Sequence, residues 1–167
     1  MQMYRHGILF LATGGYIGLI PAAPGTFGSL LGIPLAWLLS RLPAAGEIAV
    51  VMGFAAAAVW VAAKAEPLLG GTDPGAIVID EVAGMLVTFL MIPFTVGTAI
   101  AGFVLFRILD ITKPFPIRLL ERNLTGGVAV VADDLAATVG FSGAAHAPLV
   151  LARMVEQAEP VTGHLEI

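Results

Sequence analysis

Apolar residues in this chain gather into long stretches that no charge interrupts. No Asp, Glu, Lys or Arg occurs from His6 to Ser40, from Ile48 to Ala63, from Val82 to Phe106, or from Leu135 to Ala152. A helix that crosses the hydrocarbon of a bilayer needs roughly 20 mainly apolar residues. The first and third runs exceed that length, and the second and fourth fall short of it. The pattern predicts a first helix over 8–20, loosened by Gly14, Gly15 and Gly18 and stopped by Pro21 to Gly25. A second helix is expected from about Ser29 to Leu42, then a short polar loop, then an Ala-rich helix over 48–66. Residues 70–75 read as a turn-rich connector. From about Arg153 the chain turns polar, and that tail is expected to fray. No internal repeat or linker divides the chain, so residues 1–167 are read as one domain.

The stretch from Ile77 to Lys113 holds a second pattern. Pro93-Phe94-Thr95-Val96-Gly97 falls midway through its apolar run. Taken as a turn, it folds the stretch into two antiparallel helices of similar length. At ~1.5 Å per residue, Asp80-Glu81 and Arg107–Asp110 would both lie about 20 Å from the turn, at one end of the hairpin. A single helix kinked at Pro93 is the competing reading. It would send the two charged groups to opposite ends.

Composition supports the membrane reading. The chain is 58% hydrophobic and only 12% charged, against about 25% charged in ordinary soluble domains. Mean hydropathy is +0.95. A soluble bundle of apolar helices is the alternative. No cleavable signal is evident. Cysteine is absent, which excludes disulfides and thiolate metal sites. The net charge of −4 gives no reason to expect a nucleic-acid partner. Four of the eight basic residues (Arg107, Lys113, Arg118, Arg122) cluster after the third run, and that stretch should face the cytoplasm.

The acids beside or within the apolar segments carry the candidate chemistry. Asp80-Glu81 in AIVIDEVAGML can border one cavity, where a divalent cation or a proton would relieve their repulsion. An acidic pair that merely complements a helix N-terminus is the plain alternative. Asp133-Asp134 repeats the pattern, which favours a shared metal site. Arg107, Asp110 and Lys113, spaced i, i+3, i+6, form either an ion pair with snorkelling anchors or a clamp on an anionic group. Pro24 to Ser29 is a Gly- and hydroxyl-containing turn entering a helix. A Ser/Thr cap is the plainer account of Thr26 and Ser29, and phosphate binding by the helix start is the functional one. The three histidines are scattered, and no serine has a nucleophile-elbow setting.

Together these segments resemble the phosphatidylglycerophosphatase A family. The resemblance rests on LATGGYIGLIPAAPGTFGSLLGIPL (11–35), TDPGAIVIDEVAGM (72–85) and GFVLFRILDITKPFPIRLLERNLTGGVAVVADDLAA (102–137), in the family's order and spacing. It implies an all-α fold, a compact membrane-embedded or membrane-associated bundle of about six short apolar helices around a central one. It implies Mg²⁺-dependent hydrolysis of phosphatidylglycerophosphate to phosphatidylglycerol and phosphate at the bacterial inner membrane, with the site facing the cytoplasm. The positions that match the family motifs are Asp80, Glu81, Arg107, Asp110, Lys113, Asp133 and Asp134. The family's histidines before the acidic pair are replaced by Thr72 and Pro74 around Asp73, and Leu124-Thr125 offers none before Gly126-Gly127. Acid–base chemistry by histidine is therefore not expected at either place.

The expected assignment has Asp80, Glu81, Asp133 and Asp134 as Mg²⁺ ligands. Arg107 and Lys113 hold the phosphate, with Thr26 and Ser29 adding hydrogen bonds. Asp80, Asp110 and Asp134 are the catalytic carboxylates, Asp110 being the first candidate for general base. Direct attack by water and an aspartyl-phosphate route both remain open. Homo-oligomerisation is an open possibility too. The rival function is a small membrane ion-binding or transport protein, whose acids would be spread through the membrane depth. A soluble phosphomonoesterase is a second rival.

Overall fold

The computed structural model describes residues 2–70 and 74–112. Among these the protein is all-helical, with five α-helices: α1 (Gln2–Ala12), α2 (Pro24–Leu39), α3 (Ala44–Leu69), α4 (Ile79–Phe89) and α5 (Val96–Thr112). A 3₁₀ turn, Ile17–Leu19, lies between α1 and α2. The expected count of about six helices concerns the whole chain and extends beyond the described residues.

Boundaries differ from expectation where local bonding overrides the apolar run. The first helix was expected over 8–20 but ends at Ala12. The Thr13 hydroxyl donates to the Leu9 carbonyl at 2.7 Å and accepts from the Tyr16 N–H at 3.0 Å, which satisfies the open helix end. Gly14 follows in the left-handed region (φ +56°), where a side chain would also press on Leu31 and Val78. The second helix starts five residues earlier than expected, with Pro24 at its first position, where the missing N–H costs nothing.

The two longest charge-free runs are thus each broken by a turn. Among the described residues the helix long enough to span is α3, on the run that seemed too short. Its 26 residues extend past that run to take in Glu47, Lys64 and Glu66, with mean hydropathy 2.0 over its most apolar window.

The hairpin between α4 and α5 is present. Residues 90–95 make the turn. Thr95 and Thr98 bond reciprocally across the start of α5, each hydroxyl accepting the other's N–H at 3.1 and 2.8 Å, in the manner of a capping box. Met91, in the left-handed region (φ +64°), donates its N–H to Glu47 at 3.2 Å. This buried carboxylate at the start of α3 fastens the turn, a role that spacing alone does not reveal.

The central element is α4. Nine of its eleven residues are buried, so it faces neighbours on nearly every side. Ile79 and Ala83 pack with Ile8, Ala12, Ala58 and Ala62 of α1 and α3. Met85, Leu86 and Phe89 pack with Ala36, Val51 and Phe106 of α2, α3 and α5. Met85 has no exposed surface. Met85→Ala is therefore expected to lower unfolding stability by roughly 2–5 kcal/mol, measurable by denaturant titration in detergent.

Candidate active site

Three helices meet at the opening turn of α4. Asp80 and Glu81 occupy that turn, where the helix dipole favours negative charge. Asp80 is buried and Glu81 half-buried. Their side chains share a hydrogen bond. Burial pushes the Glu81 carboxyl above its ordinary range. Its hydrogen bonds to Asp80 and to its own backbone oppose the rise, the charge of Asp110 adds to it, and Arg107 counters it.

The returning arm of the hairpin brings Arg107 and Asp110 to the same end. Arg107 Nη1 donates to Asp110 Oδ2 at 2.5 Å, with the side chains 16% and 17% exposed. The third wall is the first turn of α2. A Cβ built on buried Gly25 would press on Glu81 Oε1 and lie 3.2 Å from Arg107 Nη1. Two polar atoms here are buried without a hydrogen-bond partner, Glu81 Oε2 and Arg107 Nε. Each such atom costs about 1–3 kcal/mol if left unsatisfied. One accepts and the other donates, so a cation and an oxyanion could be satisfied side by side.

The entry to α2 is strained. Ala23, the residue before Pro24, sits in the left-handed region (φ 48°, ψ 52°) and makes no side-chain cap. Neither Thr26 nor Ser29 caps the helix either, which overturns the plain Ser/Thr-cap account. Thr26 is half-buried, and its N–H bonds the Ala23 carbonyl at 3.0 Å. Ser29 is wholly buried, and its hydroxyl donates to the Gly25 carbonyl at 2.8 Å.

Of the residues expected at the site, Asp80, Glu81, Arg107 and Asp110 are brought together, with Thr26 and Ser29 on the helix that walls them. Lys113, Asp133 and Asp134 lie outside the described residues. Among the described residues no group of three or more His, Asp or Glu side chains forms a metal cage. A cavity of about 340 Å³ lies beside Ile79 and Val82, lined also by Leu11, Leu31 and Phe54. It holds no acid or base and is no place for phosphate chemistry. Sequence reasoning missed Gly25. Its signal was the glycine after Pro24, which spacing alone reads as a turn.

Comparison with known proteins decides the lineage. The family model for phosphatidylglycerophosphatase A matches residues 10–148. The chain belongs to the phosphatidylglycerophosphatase A family. It is 41% identical to phosphatidylglycerophosphatase A of Escherichia coli over 134 residues, 80% of this chain and 78% of that protein. It is 36% identical to the Haemophilus influenzae protein of the same name, over 79% of this chain and 82% of that one. A Bacteroides thetaiotaomicron protein, provisionally named a phosphatidylinositol-3-phosphatase, is 39% identical over 78% of this chain and 86% of its own length. No solved structure matches. Membership of the phosphatidylglycerophosphatase A family makes the chain an enzyme, a phosphatase.

The geometry separates the two hydroxyls of the α2 turn. Ser29→Ala removes one buried hydrogen bond and is expected to cost about 1 kcal/mol of stability, with turnover little changed. Loss of turnover without loss of stability would make the Ser29 hydroxyl a substrate contact.

Proposed function

We propose that the chain is a Mg²⁺-dependent phosphatase hydrolysing phosphatidylglycerophosphate to phosphatidylglycerol and phosphate. The observation that carries this reading is the unpartnered Glu81 Oε2 buried in the same site as the unpartnered Arg107 Nε. A metal phosphatase needs that combination, a carboxylate for the ion and a guanidinium for the phosphate. The family relatives named phosphatidylglycerophosphatase A support the choice of substrate.

The residues fit magnesium. Mg²⁺ binds through one or two carboxylates plus substrate phosphate oxygens and does not need a full protein cage. Asp80 and Glu81 would hold it, with Asp133 and Asp134 as the further ligands of the assignment. When bound, the ion supplies charge neutralisation at the phosphate and a water of lowered pKa.

Arg107 presents a planar fork suited to two phosphate oxygens, and Asp110 fixes its orientation through the 2.5 Å contact. Lys113, three residues on, adds a second positive charge, and Thr26 offers a hydroxyl at the wall. Asp110 is the base that receives the proton of the attacking water. That water's oxygen bonds phosphorus as the bond to the glycerol oxygen breaks, and the departing alkoxide takes up a proton. All the described groups lie at one end of the hairpin, which disfavours an ion pathway spread through the membrane depth.

A bilayer setting suits the outer faces. The apolar window of α3 is only 33% buried in the protein, whereas the core helix of a soluble domain would be mostly covered. Val96, Ile100, Val104, Ile108 and Ile111 make an exposed apolar stripe along α5. The basic cluster from Arg107 to Arg122 supports a site on the cytoplasmic side.

Asp80→Asn and Asp134→Asn should each abolish most turnover in folded protein, and Arg107→Lys should lower it on the order of 100-fold. Normal turnover in both Asn variants would refute the metal-ligand assignment. Detergent-purified protein should release phosphate from phosphatidylglycerophosphate with Mg²⁺ and stop on chelation. Faster release from phosphatidylinositol 3-phosphate would move the substrate to that of the Bacteroides relative's name. No release from either lipid would favour the ion-binding rival.

A further inference from the structure

Glycines 25, 28 and 32 of α2 all abut α4 or the residue before it, yet they meet different kinds of atom. A Cβ at Gly28 would lie 2.7 Å from Val78 Cβ, and one at Gly32 would lie 2.5 Å from Met85 Cβ. Those atoms are anchored next to the backbone, so a methyl group at either place must push the helices apart. At Gly25 the obstructed atoms are Glu81 Oε1 and Cδ and Arg107 Nη1, the far ends of two flexible side chains. A methyl group there can be accommodated by swinging those ends away, with the backbone left in place.

We propose that Gly25 is a positioning residue of the catalytic site: its missing side chain lets Glu81 and Arg107 close on the same point of α2. The inference rests on the phosphatase reading above, because only there do Glu81 and Arg107 act on one phosphate. Gly25 touches no reacting atom and works through these two side chains. Its own carbonyl is held by the Ser29 hydroxyl, which fixes the turn that presents the gap. The methyl group of Gly25→Ala turns the Glu81 carboxylate away from the ion and the Arg107 fork away from the phosphate, so both ligands are weakened together.

The test compares Gly25→Ala with Gly32→Ala in detergent-purified protein, reading the melting temperature, phosphate release and binding of Mn²⁺ as a magnesium probe by EPR. Gly25→Ala should melt close to the parent, lose turnover on the order of 100-fold, as for a displaced charge-stabilising donor, and bind Mn²⁺ more weakly. Gly32→Ala should melt lower and, where folded, bind Mn²⁺ like the parent. The double variant Gly25→Ala/Glu81→Asp adds a second check, because the shorter acid withdraws from the added methyl. Gly25→Ala should then cost far less in the Glu81→Asp background than in the parent, since contacting residues do not act additively. The proposal is overturned if Gly25→Ala keeps parental turnover and Mn²⁺ affinity. It is overturned equally if Gly25→Ala loses activity only in step with melting temperature, or if the double variant is additive. A parent protein that releases phosphate fully under chelation would refute the metal reading itself, whatever Gly25→Ala does.

Discussion

The close approach of α2 to α4 is the constraint on which the remaining architecture rests. It is possible because α2 presents no side chain at 28 and 32, where a Cβ would collide with Val78 or Met85 next to the backbone, while a third glycine, Gly25, leaves room for the ends of Glu81 and Arg107. Glycine in a helix costs roughly 0.5–1 kcal/mol relative to alanine through chain entropy. Three on one face are tolerable only because contact with α4 offsets that cost. The contact seats Met85 in the core with no exposed surface, and α4 becomes the axis that α1, α3 and α5 then cover. The same approach brings the first turn of α2, strained at Ala23, against the first turn of α4. Packing and chemistry are two ends of one helix pair.

The electrostatics of that end follow from burial. Among the described residues, Asp80, Glu81 and Asp110 face one positive charge, Arg107, which is already engaged with Asp110. Burial pushes the Glu81 carboxyl above its ordinary range, and the nearby charge of Asp110 adds to that push. The ion pair of Arg107 serves a separate purpose. It uses Nη1 and leaves Nε buried and unpartnered, so the guanidinium is anchored on one edge and open on another. An anchored arginine with a donor in reserve loses little conformational freedom on meeting an anion.

Much of this was legible in the sequence, and the failures have physical causes. The hairpin could be read because Pro93 interrupts an apolar run whose flanks both carry charge. Co-location of Asp80, Glu81, Arg107 and Asp110 then follows from helical rise alone. Spanning length misled because a charge-free run measures the absence of charge, not the continuity of a helix. Residues 6–40 contain Thr13-Gly14-Gly15 and Pro21 to Pro24, whose bonding ends one helix and starts another. Conversely α3 runs through Lys64, whose long side chain is exposed, so a charge there need not stop the helix. Gly25 could not be assigned from spacing, because glycine reads the same whether it makes a turn or a close contact. Only the identity of the facing atoms distinguishes the two.

On the proposed membrane reading, helix length constrains where the chemistry can lie relative to a bilayer. At ~1.5 Å per residue, α3 is about 39 Å long, enough to cross a hydrocarbon layer of ~30 Å. By the same measure α4 is about 17 Å and α5 about 26 Å, so neither arm of the hairpin reaches that thickness. Its turn is pinned by Glu47 at the start of α3, which fixes the depth of the hairpin relative to the long helix. The far end of α2 carries Trp37, half exposed beneath the Arg41 guanidinium at 4.4 Å, about 18 Å along the axis from Gly25. An amphipathic aromatic under a cation suits an interfacial level, and 18 Å is too short to join two interfaces. Trp37 and the Gly25 site therefore cannot both lie at opposite membrane surfaces in an upright α2. On the proposed membrane reading, a partly inserted α2 would satisfy both, with the Glu81–Arg107 end at headgroup depth. On the proposed lipid-phosphatase reading, the lipid phosphate would meet the site there without leaving the bilayer, and water would have access as the second reactant.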